Sequence, residues 1–148
     1  MTCFYVFQGL TTLLIAAIVA YIMRQQHKTD KDKLRYDLYD RRLKIFQGTM
    51  VLLGRVVVQK KLNIENIDQF NRERAEAIFL FEKDVTDYLT TIDRNCLDLW
   101  GVTQVLKTEP EGKPRSAAAK QQKALLQWFG DQAEVLTSKF EKYLRFGS

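Results

Sequence analysis

The chain reads as an all-α protein: one N-terminal transmembrane helix followed by an antiparallel bundle of three long helices. Three observations carry that reading. Residues 3–23 run without a single charge, apolar side chains recur every three or four positions from Tyr36 to Tyr143, and both prolines sit in one strong breaker, Glu109-Pro110-Glu111-Gly112-Lys113-Pro114. No strand pattern competes, because Val56-Val57-Val58 is β-branched but short and lies inside a helical period.

The uncharged stretch CFYVFQGLTTLLIAAIVAYIM is long enough, at about 1.5 Å per residue, to span the roughly 30 Å hydrocarbon core of a bilayer. Only Met1 and Thr2 precede it, so it lacks the basic leader of a signal peptide, although Ile18-Val19-Ala20 could serve as a weak cleavage site. Arg24, His27, Lys28, Lys31, Lys33 and Arg35 follow at once. That asymmetry predicts an N-terminus outside and a C-terminal domain in the cytoplasm, with Tyr5 and Tyr21 at the two interfaces. The expected organisation is therefore an anchor at 1–23, a basic juxtamembrane segment at 24–30 and a helical bundle domain at 31–148. Thr12, Ala16 and Ala20, small and spaced by four, would allow a second anchor to approach and form a homo-oligomer.

Thr29, with Asp32 three residues on, offers a cap for the first bundle helix. Its seam is Tyr36, Tyr39, Leu43, Phe46, Met50, Leu53 and Val57, the spacing of helices packed at coiled-coil-like angles, with Gly48 and Gly54 marking close packing or a bend. Asn63 is an N-cap with Glu65 in the following turn. With no Gly or Pro between Asn63 and Trp100, one long helix is expected through Val102 and Leu106. Its seam is Ile67, Phe70, Arg74, Ala77, Phe81, Val85, Tyr88, Ile92, Cys96 and Leu99. Such a helix outruns its predecessor, so it must bend or reach back to the membrane. After the proline loop, Ser116 can cap a last helix with the seam Leu125, Phe129, Ala133, Leu136, Phe140 and Tyr143, ending at Phe146-Gly147. Phe46, Phe81 and Phe129, one per helix, are expected in a common core.

Charge alternates along the soluble part. Residues 24–61 hold 11 Lys and Arg against 4 acids, residues 62–100 hold 4 against 9, and residues 101–148 hold 8 against 5. A basic segment beside the anchor suits anionic headgroups, and the acidic middle suits pairing within a bundle. No nucleic-acid-reading motif accompanies the cations. The two cysteines, Cys3 and Cys96, lie on opposite sides of the bilayer boundary and do not suggest a disulfide.

Little here carries catalysis. His27, the single histidine, stands in a solvated basic tract without a second ligand, and Cys96 falls on an apolar seam with no histidine to activate it. Glu82, Asp84 and Asp87 read as a solvated acidic face, and neither Gly48 nor Gly54 opens a phosphate loop. No catalytic, cofactor-binding or metal-binding residue is therefore assigned, and no cofactor is expected. Asp37, Asp40, Arg41 and Arg42 with Tyr36 and Tyr39 read as a charged helix face or a docking surface.

The order of an apolar anchor, LRYDLYDRRLKIF, FLFEKDVTDYL and WFGDQAEVLTSKFEKYLRF resembles small uncharacterised bacterial single-pass membrane proteins with a helical cytosolic domain, over most of the chain. The resemblance implies a bacterial inner-membrane location and implies no substrate. Together these readings lead to the expectation of a membrane-anchored helical interaction or scaffold module without catalytic activity, the alternative being an accessory subunit of a membrane transport or sensing complex.

Overall fold

The computed structural model describes the backbone of residues 2–60 and 62–145, with the side chains of these residues except 2–15, 17 and 27–29. It contains helices α1 (Thr2–Gln59), α2 (Ile64–Arg74), α3 (Ala77–Leu80), α4 (Lys83–Thr108) and α5 (Lys113–Leu144), and the described residues include no strand. The chain divides into two units, residues 1–38 and 39–148.

The first unit is the N-terminal part of α1. Helix runs through the polar tract at 24–30 without interruption, so Thr29 is no cap, and the described side chains up to Asp37 are exposed. Among the described residues no helix is long and apolar enough to cross a membrane. The span expected at residues 3–23 lies largely outside the residues whose side chains are described.

The second unit is a four-helix arrangement rather than the three-helix bundle expected from the sequence. The expected single helix from Asn63 to Leu106 turns back on itself at Phe81-Glu82, both of which have extended backbones. That reversal lays α2 and α3 beside α4, and Arg74 of α2 reaches Asp93 of α4 at 2.9 Å. Between α2 and α3 the chain only tightens, with Ala75 and Glu76 keeping helical dihedrals and the Ala75 amide donating to the Arg72 carbonyl. The turn takes the place of the bend or reach-back expected of one long helix, dividing it into α2 (11 residues), α3 (4) and α4 (26).

Caps and breakers act where local chemistry favours them. Asn63 precedes α2 as its N-cap, its amide donating to Asn66 Oδ1 at 3.3 Å, and Glu65 lies in the first turn. Gly112, not Ser116, is the N-cap of α5, and Pro114 follows in the first turn, where its missing N–H costs nothing. The loop before it is held by Arg115, whose Nη1 donates to the Glu109 carbonyl at 2.9 Å. Residues 146–147, expected to end the helix, lie outside the described residues; the last described helical residue of α5 is Leu144.

The core runs between all four arms. In the α2–α4 segment every apolar residue of the expected seam is buried, from Ile67 and Phe70 to Cys96 and Leu99, joined by Leu89 and Val102. In α1 the buried stripe is Ile45, Thr49, Leu52 and Val56 with Leu53, so the expected seam is rotated: Phe46 and Met50 pack at its edge, whereas Tyr36 and Val57 are exposed. Thr49 is tolerated there because its hydroxyl donates to the Ile45 carbonyl at 2.8 Å. In α5, Gln132 is buried in place of the exposed Ala133. Its Nε2 donates to the Trp128 carbonyl at 2.9 Å, and its own carbonyl accepts the Tyr88 hydroxyl at 3.2 Å.

Candidate functional site

Three polar or concave features of the second unit could carry function. The first is a node where α2 meets α4. Arg74, the one charged residue on the expected seam, donates through Nη2 to Asp93 Oδ2 and through Nε to Asn71 Oδ1 at 2.7 Å, with its guanidinium 5.7 Å from the Phe70 ring centre. Asp93 Oδ1 is buried without a hydrogen-bond partner. One turn on, Cys96 is fully buried, and burial, aided by the Asp93 carboxylate, pushes its thiol up to about 12. A thiol so poorly ionised is a core residue rather than a nucleophile.

The second is an aromatic cluster at the α2–α4 turn. The Phe81 ring lies 4.8 Å from Phe140 and 5.0 Å from Tyr143, and Phe46 lies 5.6 Å from Phe140. Arg42 spans this cluster, 5.1 Å from the Tyr143 ring and 5.9 Å from that of Phe81, with its Nε donating to the Leu80 carbonyl at 3.1 Å. Of the three aromatics expected together, Phe46 and Phe81 thus share Phe140, while Phe129 is buried beside Trp128 at 5.1 Å. Lys142 bridges Glu82 at 2.7 Å and Asp84 at 3.9 Å on an exposed face; the Glu82 hydrogen bond, followed by Tyr143, raises its pKa.

The third feature is a set of clefts. One of about 150 Å³ lies between α1 and α2, lined by Gly48, Arg55, Gln69 and Glu73 among others. A shallower one of about 430 Å³ separates α4 from α5 near Leu97, Asp98, Gly101 and Pro114. The largest, about 520 Å³, lies between the end of α1 and the first half of α5 and is lined by Val57, Lys60, Ala119, Gln122, Lys123, Leu126 and Gln127.

The structure separates the residues singled out from the sequence. Arg42 is a half-buried strut, Arg41 meets the Glu76 carboxylate at 3.4 Å, and Asp87 pairs with Lys83 at 2.6 Å on an exposed face. His27 and Thr12 lie outside the residues whose side chains are described, whereas Ala16 and Ala20 are exposed. Among the described residues no three His, Cys, Asp or Glu side chains gather to hold a metal ion. The exposed Ile78 and Phe79 on α3 had no place in the sequence reading, since both lie between the seam positions Ala77 and Phe81, and the exposed Val58 follows the last position of the first seam. No protein-family model matches the chain, and neither a curated protein nor a solved structure matches it.

Proposed function

We propose that the chain is a membrane-anchored helical interaction or scaffold module, held in a bacterial inner membrane by residues 3–23 with its C-terminal domain in the cytoplasm. The observation that carries the interaction reading is apolar surface left outside a well-packed bundle. Phe79 is 82% exposed and Val58 81%, although the same unit buries Phe129, Leu136 and Phe140 completely. Single exposed apolar side chains are ordinary on a protein surface, but Ile78 and Phe79 follow one another on α3 and are both exposed, and adjoining apolar surface favours contact with other molecules. The polar groups, by contrast, are engaged in holding helices together: Arg74 on Asp93, Arg42 on Leu80 and two rings.

The membrane part of the reading is supported by the uncharged run and the cations that follow only on its C-terminal side. A reporter fused after Ser148 should behave as cytoplasmic, and periplasmic activity would overturn the orientation. The interaction part is tested by crosslinking in native membranes followed by affinity purification. A reproducible protein partner is expected, and failure to recover one from any crosslinker position would count against the module. The small residues Thr12, Ala16 and Ala20 favour a second reading, an accessory subunit of a transport or sensing complex or a homo-oligomer packed through the anchor. A stoichiometric integral-membrane partner retained through mild detergent would select it.

A further inference from the structure

We propose that the groove between the end of α1 and the first half of α5 is the docking site for an acidic peptide segment of a partner protein, which seats one large apolar side chain between lysines. The proposal rests on the interaction-module reading and names the surface and the partner chemistry. Val57, Ala119 and Leu126 give the groove its apolar lining, with Val57 and Ala119 open to solvent, and Lys60, Lys123, Gln122 and Gln127 give its polar lining. At about 520 Å³ it has room for an aromatic or leucine side chain together with some of its backbone.

The stretches of α1 and α5 that form it carry charge of one sign. No Asp or Glu occurs in α1 after Asp40, and α5 carries Lys113, Arg115, Lys120 and Lys123 before its first acid, Asp131. Among the described residues neither Lys60 nor Lys123 takes part in an ion pair. The other two clefts differ. The α1–α2 cleft sets Arg55 against Glu73, and the α4–α5 cleft contains Asp98 and no cation. Of these three clefts, this groove is the one whose lining joins apolar residues to cations without an acid, so the charge complementary to it is negative.

The concave form selects the class of partner. A bilayer surface is flat and would meet the lysines without filling the concavity, and a nucleic-acid backbone would use the cations while leaving the apolar lining wet. A peptide with carboxylates flanking one apolar anchor satisfies both parts. Lys60 adds a backbone observation. Its φ is 51°, in the left-handed region, where its amide donates to the Val56 carbonyl at 3.0 Å to end α1. Glycine takes that conformation without strain, yet the position carries a lysine that lines the groove.

The test uses the full chain in detergent micelles and a short fluorescein-labelled probe peptide with one Phe among Glu residues. Two control peptides replace the Phe by Ser or the Glu residues by Gln. Fluorescence anisotropy should report binding of the probe that weakens as salt is raised, with both controls about ten-fold weaker or worse. Lys123→Glu should abolish most of the binding. Lys60→Gly should weaken it several-fold while raising the melting temperature, because the strain is relieved as the cation is lost. Equal binding of the Ser control, unchanged affinity in Lys60→Gly or Lys123→Glu, or displacement of the probe by phosphatidylglycerol vesicles or duplex DNA but not by unlabelled peptide would each overturn the proposal. A photo-crosslinker at Gln127 in native membranes should label an acidic segment of a partner. Labelling from Phe79 alone would overturn the groove and leave the module reading standing, whereas labelling from neither position would count against both.

Discussion

Helix α4 and the part of α1 from Tyr39 onward differ in how closely apolar content matches what the bundle can cover. α4 lies at the centre and buries Val85, Tyr88, Leu89, Ile92, Cys96, Leu99 and Val102 on one face, with polar residues over most of the other. α1 buries Ile45, Leu52, Leu53 and Val56 but leaves Val51, Val57 and Val58 outside. α4 too leaves Leu97 and Val105 in water, but neither approaches the 81% exposure of Val58, and of the three α1 valines Val57 lines the cationic groove.

The sharpest way to break that contrast is to truncate one side chain of each kind. Phe129→Ala, at a position with no exposure, should cost about 3 to 5 kcal/mol in urea unfolding of the full chain, whereas Val58→Ala should stay within about 0.5 kcal/mol. Comparable losses from the two would mean that α1's outer face is structural.

A smaller effect is expected at the polar node. Arg74→Met strands the half-buried Asp93, one oxygen of which already lacks a partner, and should cost about 2 to 3 kcal/mol. Adding Asp93→Leu should recover most of that loss, because two apolar groups then replace the pair. A double variant less stable than either single one would show that the node does more than bridge α2 to α4.

The buried face of α4 should also make the protein alkali-sensitive. Burial pushes the Tyr88 hydroxyl up to about 12, as it does the Cys96 thiol. Both groups are neutral when protonated and ionise at lower pH in the unfolded chain, so their stabilisation is complete below about pH 9 and is lost as pH rises toward 12. The loss at pH 10 should be about 2 kcal/mol relative to pH 7. Tyr88→Phe with Cys96→Ala should flatten the dependence, and an unchanged slope would assign it elsewhere.

The smallest effect separates the two glycines in the part of α1 from Tyr39 onward, Gly48 and Gly54. A Cβ at Gly54 meets nothing within 4 Å, so Gly54→Ala should stabilise by about 0.5 to 1 kcal/mol through helix propensity. At Gly48 the added carbon would run into the Glu73 carboxylate, which must swing away, so the gain there should be less. Thermal melts of the two variants check the order.

These two regions also mark what was legible in the sequence. The stripe of the α2–α4 segment could be read because its apolar residues fall on one line, but that line was blind to the reversal at Phe81-Glu82. Both arms of the turn keep the same stripe inward, so a hairpin and a straight helix share one burial pattern. No Gly or Pro announces the turn. It is supported by tertiary contacts, Arg42 on the Leu80 carbonyl and Phe81 drawn against Phe140 and Tyr143, which come from segments distant in sequence. In α1 two neighbouring apolar lines compete, and periodicity alone could not say which the bundle would cover. Gln132 lies inside where Ala133 was expected, a polar residue that periodicity would not choose but whose side-chain amide is satisfied by the Trp128 carbonyl. The groove was invisible because Val57, Lys60, Lys123 and Leu126 belong to helices separated by the whole middle of the chain.

One contact at the turn ties the start of α4 to the end of α5. Glu82 opens α4 as its N-cap, and the position whose side chain would ordinarily reach back to the cap amide is the apolar Val85. That amide instead donates to the Tyr143 hydroxyl at 3.2 Å, from the last turn of α5. The start of one helix is therefore completed by the end of another, 61 residues later. The first turn of α4 can gain its full protection only after the C-terminal helix has docked, so hydrogen exchange at the Glu82 amide becomes a local clock for the final step of assembly.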